Sequence, residues 1–175
     1  MGLLPILSEL HIPHANLRGM TTVHMIHGYI GAGKTTFARE LEQRLPTLRL
    51  THDEWMLRLY GGDPPTEQFQ AFSDKVSEQI EFVWTGCVGL GLDVVLDLNF
   101  WSRKQRDSVR NIAATLRADV RLYHLSCPDE IAWGRVNNRN KSLTDSLFIA
   151  RNTFLMLKDR FEPLNDDEAR IEVSR

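Results

Sequence analysis

The sequence predicts an α/β domain built on a mostly parallel sheet, and three observations carry that expectation. Apolar residues switch regularly between a period of two and a period of about 3.6, as strands and helices succeed one another. A glycine-rich segment, Gly28 to Thr36 (GYIGAGKTT), lies between an apolar, β-branched run and a stretch of helical period. That is the strand, loop, helix order in which a phosphate-binding loop works. The chain of 175 residues suits one domain, which buries roughly two-thirds of its unfolded surface and needs no disulfides.

Each element follows from its local pattern. Thr22 to Ile26 is the first strand, and Thr36 to Leu45 repeats its apolar residues at helical spacing. Thr47 to Thr51 (TLRLT) is a short strand that ends at His52 and Asp53. A brief helix from Glu54 to Tyr60 stops at Gly61-Gly62-Asp63-Pro64-Pro65, a strong breaker cluster. From Thr66 to about Gly89, Phe69, Phe72, Val76, Ile80 and Val83 recur at steps of three and four, which marks one buried helix face. Leu92 to Leu98 is short, rich in Val and Leu and bounded by glycines, so it reads as a central strand. A helix over about Arg103 to Arg117 turns Val109, Ile112, Ala113 and Leu116 inward, and Ala118 to Ser126 is the next strand. Pro128 opens a helix carrying Ile131, Val136 and Arg139. Ser142 to Arg160 reads as a further helix with a cap over Ser142 to Ser146, and Arg170 to Ser174 as the last strand.

Composition narrows the function. With 21 basic and 23 acidic residues the formal charge is −2, which gives no global attraction to nucleic acid or to an anionic membrane. A small or locally recognised substrate is expected. Cys87 and Cys127 have neither metal spacing nor a C-x-x-C pattern, so free, buried thiols and a cytoplasmic location are expected. No segment approaches the roughly 18 consecutive apolar residues of a membrane span. The opening MGLLPILSEL lacks a basic region, is broken by Pro5 and has Ile6 where a myristoylation signal needs Ser or Thr. Residues 1–19 are therefore read as an N-terminal extension, with Met20 an alternative start and His11 and His14 a solvated pair, and residues 20–175 as the catalytic domain.

The chemistry-bearing residues begin in the loop. Gly28, Gly31, Ala32 and Gly33 bring backbone N–H groups and a helix N-terminus to face a polyphosphate. Lys34 reaches its β- and γ-phosphates, Thr35 offers a hydroxyl to Mg²⁺, and Thr36 continues the cradle. Asp97, leaving a buried strand, is placed to bind Mg²⁺ or to cap the next helix. Asp53, at the end of the second strand, is placed to accept a proton from an attacking hydroxyl or to cap the helix from Glu54. Arg135 and Arg139 stand four apart on one helix, so their guanidiniums can converge on a transferring phosphoryl group. A second basic cluster, Arg103, Lys104 and Arg106, either holds substrate or serves helix and solvent.

The segments GYIGAGKTT, THDEW, VVLDLNFWSRKQR and SCPDEIAWGRVNNRN, in that order, resemble the small AAA-type P-loop kinases. Chloramphenicol phosphotransferase, the kinase domain of phage polynucleotide kinase and the zeta toxins are related to that group. The resemblance runs from about Thr22 to the C-terminus. It implies a P-loop NTPase fold with a five-stranded parallel sheet in the order 2-3-1-4-5 and a small helical lid. It also implies Asp53 as general base, Asp97, Asn99 and Arg106 as the acid-rich third strand with its following arginine, and Arg135 and Arg139 as the lid. ATP with Mg²⁺ is the implied cofactor pair, and no guanine-reading Asn/Thr-Lys-x-Asp segment occurs. Trp55 and Trp101 are candidate substrate-lining residues that match no single member. Phe161-Glu162-Pro163 resembles the tail of the group without a mechanistic role.

The expected activity is phosphoryl transfer from ATP to a hydroxyl of a small molecule, an antibiotic or a metabolite, with no nucleic acid and no membrane as partner. Two other readings use the same residues. One is a polynucleotide 5′-kinase or RNA-repair module, which calls for a basic groove. The other is a regulatory ATPase that changes partners on hydrolysis.

Overall fold

A computed structural model of the chain describes residues 19–62, 64–142 and 148–174. Five strands form one sheet in the order β2-β3-β1-β4-β5, and every neighbouring pair runs parallel. The strands are β1 (Thr22–Gly28), β2 (Thr47–Thr51), β3 (Asp93–Asp97), β4 (Asp119–Leu125) and β5 (Ile171–Val173). The helices are α1 (Lys34–Arg44), α2 (His52–Tyr60), α3 (Thr66–Gly89), α4 (Arg103–Thr115), α5 (Asp129–Ser142) and α6 (Arg151–Lys158).

β1 is central, pairing Val23, His24 and Met25 with β3 on one side and its whole length with β4 on the other. Because successive side chains of a strand face opposite ways, each central strand feeds two cores. Val23, Met25, Val94, Leu96 and Leu122 pack with α3 and α4 through Val76, Ile80, Trp84, Val88, Val109 and Ala113. Ile26, Val95, Tyr123 and Leu125 face α1 at Ala38. Strands buried on both faces read as near-continuous apolar runs, which is the pattern of Val94-Val95-Leu96. Trp84 and Ile80 are essentially inaccessible, and full burial of one such side chain contributes roughly 1.5–3 kcal/mol.

Several elements differ from their sequence reading. β1 continues through His27 to Gly28, and His24 is accommodated by stacking on Tyr123 with Nδ1 3.0 Å from its hydroxyl. The buried face of α3 runs on to Trp84 and Val88, while Phe69, at the other end, is 39% exposed. Ile131 on α5 is exposed too, whereas Val136 is buried. The helix read from Ser142 to Arg160 is shorter, because residues 148–150 are not helical and α6 starts at Arg151. The break has a local cause: the Asn140 amide bonds both backbone groups of Ile149, donating to its carbonyl at 2.7 Å and accepting from its N–H at 3.2 Å. The expected cap over Ser142 to Ser146 lies outside the described side chains, as do His11 and His14.

Candidate active site

The phosphate-binding loop leaves β1 at the carboxyl edge of the sheet, where open α/β sheets assemble their sites. Its glycines are required by shape. Gly31 has φ +83°, and a Cβ there would come within 2.4 Å of the Ala132 carbonyl oxygen on α5. Gly33, with φ 96° and ψ 19°, is the left-handed residue from which α1 departs, a conformation costly for any residue with a Cβ. Ala32 is buried against the α1 side of the sheet, and Thr36 is exposed on the first turn of α1. α1 therefore opens at Lys34, two residues before its sequence reading.

Lys34 is buried at 8% exposure and donates to the Tyr29 carbonyl at 3.2 Å. Burial pushes its ammonium below the ordinary lysine value, against the raising influence of Asp97 and Asp53, while Arg139 adds to the lowering. Lys34 thus lies within electrostatic reach of Asp97, Asp53 and Arg139. Asp97 closes β3 and is also buried. Burial pushes its carboxyl up, opposed by Lys34 and by a hydrogen bond from the Thr35 hydroxyl. Its Oδ2 has no protein partner. α4 is capped instead by Ser102 and Gln105, which form a reciprocal capping box, so Asp97 does not cap that helix.

Asp53 sits in the first turn of α2, which starts at His52 with Thr51 as the cap residue. It therefore does not cap a helix from Glu54. Burial acts to raise its carboxyl, but His52, Lys34 and Arg139 outweigh that influence and hold it below the usual carboxylate range. The start of α2 is anchored to α1 and β2 by Glu54, which accepts from Arg39 at 3.0 Å and from Arg49 at 3.1 and 3.0 Å. Arg49 also donates to Glu42 of α1 at 3.0 Å. Arg135 lies across the loop, with Nη1 3.3 Å from the Gly31 carbonyl and 3.7 Å from Cys127 Sγ. Cys87 and Cys127 are free and half-buried.

The AAA domain family matches residues 23–164. The chain belongs to this family. Solved structures described as kinases are among its structural neighbours. A chain of the Pnkp1/Rnl/Hen1 RNA repair complex superposes with TM-score 0.67 at 18% identity, over 85% of this chain and 48% of that one. The AAA domain thus spans about half the length of that neighbour. A putative kinase from Chloroflexus aurantiacus gives TM-score 0.71 at 13% identity, covering 88% of each chain. A sugar kinase from Janibacter sp. HTCC2649 gives TM-score 0.59 at 19% identity, covering 87% of this chain and 84% of that one. At these identities the likeness shows the fold. No curated protein matches the chain.

Among the sequence candidates, Lys34, Thr35, Asp53, Asp97, Arg135 and Arg139 are brought to the loop of the AAA domain. Arg106 is not a substrate ligand. It is fully buried, its Nε and Nη2 donate to the two carboxylate oxygens of Glu168 at 2.8 and 2.7 Å, and Nη1 donates to the carbonyls of Phe100 and Trp101 at 3.1 and 3.3 Å. The carbonyls of Glu162 and Pro163 also accept from it. Asn99 and Phe100, whose φ values are 66° and 47°, form the unusual turn that this guanidinium holds. Arg103 of the same cluster pairs with Asp107 and Asp167, and Arg110, further along α4, with Asp107 and Glu168. Phe161-Glu162-Pro163 thereby has its place, as a strap over the start of α4 where Glu162 also accepts from the Arg103 N–H at 2.7 Å.

Trp55 packs against the main core. Trp101 joins Tyr29, Phe154 and Phe161 beside the loop, its ring centroid 6.1 Å from that of Tyr29 and its buried indole N–H without a protein partner. Tyr29, a variable position of the loop motif, was not singled out from sequence, yet its hydroxyl donates to the Phe154 carbonyl and ties α6 to the loop. No helix among the described residues is long and apolar enough to cross a membrane.

Proposed function

We propose that the chain is a Mg·ATP-dependent kinase that transfers the γ-phosphoryl group to a hydroxyl of a small molecule. The observation that carries this reading is the convergence of Lys34, Asp97, Asp53 and Arg139 on one another's charge at the mouth of the phosphate-binding loop. Phosphoryl transfer needs positioning and charge compensation more than covalent help. The loop N–H groups and Lys34 hold the polyphosphate, and Arg139 and Arg135 neutralise charge on the transferring group. Asp53, ionised and half-exposed, takes the proton of the attacking hydroxyl.

The residues present suit Mg²⁺. Asp97 offers a buried carboxylate oxygen that no protein group satisfies, next to the Thr35 hydroxyl. A hard cation that keeps most of its ligands as waters and phosphate oxygens asks for one or two such groups. When bound, it neutralises charge on the β- and γ-phosphates.

The acceptor is taken to be small because the arginines on α4 are committed to Asp107, Asp167 and Glu168 and offer no free basic groove, and because the formal charge is −2. The test is a screen of hydroxyl-bearing metabolites and antibiotics for transfer from labelled ATP, run beside 5′-labelling of oligonucleotides and a salt titration of their binding. Transfer to a small hydroxyl compound is expected. Efficient end-labelling, with affinity falling steeply as salt rises, would overturn this reading in favour of nucleic-acid repair.

A further inference from the structure

Away from the loop, the C-terminal ends of α3 and α4 enclose a groove of about 530 Å³ lined by Phe82, Val83, Gly86, Cys87, Leu90 and Leu116. Val83, Cys87 and Leu116 form its floor, since they pack on the main core, while Phe82 and Leu90 stand 75% and 70% exposed. Thr85 lines it too, but turns its hydroxyl back onto the helix, donating to the carbonyls of Glu81 and Phe82 at 2.8 and 3.1 Å. Gly86 deepens the hollow. Glycine is a poor residue within a helix, and a Cβ here would meet nothing within 4 Å, so no packing among the described residues calls for it. An exposed apolar patch of this kind marks an interaction site.

The point at which the chain enters the domain selects the occupant. The Thr21 carbonyl accepts from the Asp119 N–H at 2.7 Å, and the Thr22 N–H donates to Asp93 Oδ1 at 2.8 Å. The chain therefore enters β1 between the first residues of β3 and β4. Leu90 and Leu116 precede Asp93 and Asp119 by three positions each, a span of at most about 11 Å. Groove and entry point share the amino edge of the sheet, opposite the phosphate-binding loop. Residues 1–18, which lie outside the described residues, lead to that edge and open with MGLLPIL, a run without a charged side chain. Ser8 to Arg18 between them reach up to about 40 Å, ample for the distance.

We propose that the apolar segment Leu3 to Leu7 of the same chain packs into this groove, against Phe82, Leu90 and Leu116. Removal of apolar surface from water on both sides drives the contact. Covalent attachment gives the chain's own segment a higher effective concentration at the groove than a second copy has.

Thiol alkylation of the full chain tests this, because Cys87 lines the groove and Cys127, beside Arg135, serves as an internal reference. With Leu3→Asp, Leu4→Asp and Leu7→Asp combined, Cys87 should react about tenfold faster or more, as when the open form of a two-state element is a minor population of about 10% or less. Cys127 reactivity and circular dichroism should not change. Nuclear Overhauser contacts between the methyls of residues 3–7 and the Phe82 ring should be present in the wild type. They should vanish in Gly86→Lys, which fills the groove with a charged side chain in open space. Equal Cys87 rates with and without the three aspartates, or wild-type spectra without those contacts, would overturn the proposal. Protection that rises with protein concentration, together with a dimer in sedimentation, would overturn it in favour of a second copy.

Discussion

At the scale of single residues, Lys34 and Asp53 divide binding from chemistry. Lys34 is a buried cation balanced by Asp97 and Asp53, so Lys34→Ala removes the charge that meets the β- and γ-phosphates. Mg·ATP affinity or turnover should drop about 10²–10³-fold while the fold survives, and calorimetry plus turnover would expose the error if both stayed intact. Asp53→Asn keeps the size of the side chain but cannot take a proton, so turnover should collapse with nucleotide affinity retained. Arg139→Ala, and Arg135→Ala to a lesser extent, should lower kcat more than they raise KM for ATP, because such charges matter most as the leaving oxygen becomes negative. Arg139→Lys should rescue poorly, since an ammonium does not reproduce the planar fork. Loss in KM alone would move these arginines to ground-state binding. The placement of Lys34 and Thr35 was legible in the sequence because it follows from spacing within one loop. Arg106 was misread because its partner, Glu168, lies far along the chain.

At the scale of elements, that same pair decides how β3 passes into α4. Arg103, Arg106 and Arg110 recur at steps of three and four on one helix, and the acids Asp167 and Glu168 answer them from the segment before β5. A buried pair with its hydrogen bonds satisfied is costly to break from one side, about 3–5 kcal/mol, because the remaining charge has nowhere to go. Arg106→Met should lose stability on that scale in urea titration, and Arg106→Met combined with Glu168→Leu should recover much of the loss. Stability within 1 kcal/mol of wild type, a threshold of about the usual surface-mutation scatter, would mean that the turn at Asn99 and Phe100 needs no such support. The helix expected from Ser142 to Arg160 fails for a comparable reason. Periodicity carries across residues 148–150, but the Asn140 side chain holds Ile149 in a non-helical segment.

For the whole molecule, the buried Glu168 and His27 are two of the groups that shape the response to acid. The Arg106 and Arg110 guanidiniums hold Glu168 down at about 2 from its ordinary 4.5. That stabilisation is complete above pH 4.5 and is lost as pH falls towards 2. Burial, aided by the nearby Arg106 charge, holds His27 at about 4 instead of 6.5. Below pH 6.5 the unfolded chain therefore takes up a proton that the folded chain refuses until about pH 4, and stability falls across that interval. Each group contributes up to about 3 kcal/mol, so the melting temperature should decline from about pH 6.5 downward in two overlapping stages. A melting temperature flat between pH 7 and pH 4 would show that His27 is not held neutral. By itself the sequence determined the alternation of strands and helices, the phosphate-binding loop and the strand ends that present Asp53 and Asp97, because periodicity and motif spacing are local properties of the chain. Only the tertiary structure decided which charges are spent on one another. It took Arg106 and its neighbours on α4 out of the site and gave the Phe161 to Pro163 strap its place. Pairings between distant segments depend on how sheet and helices pack, and no local pattern encodes them.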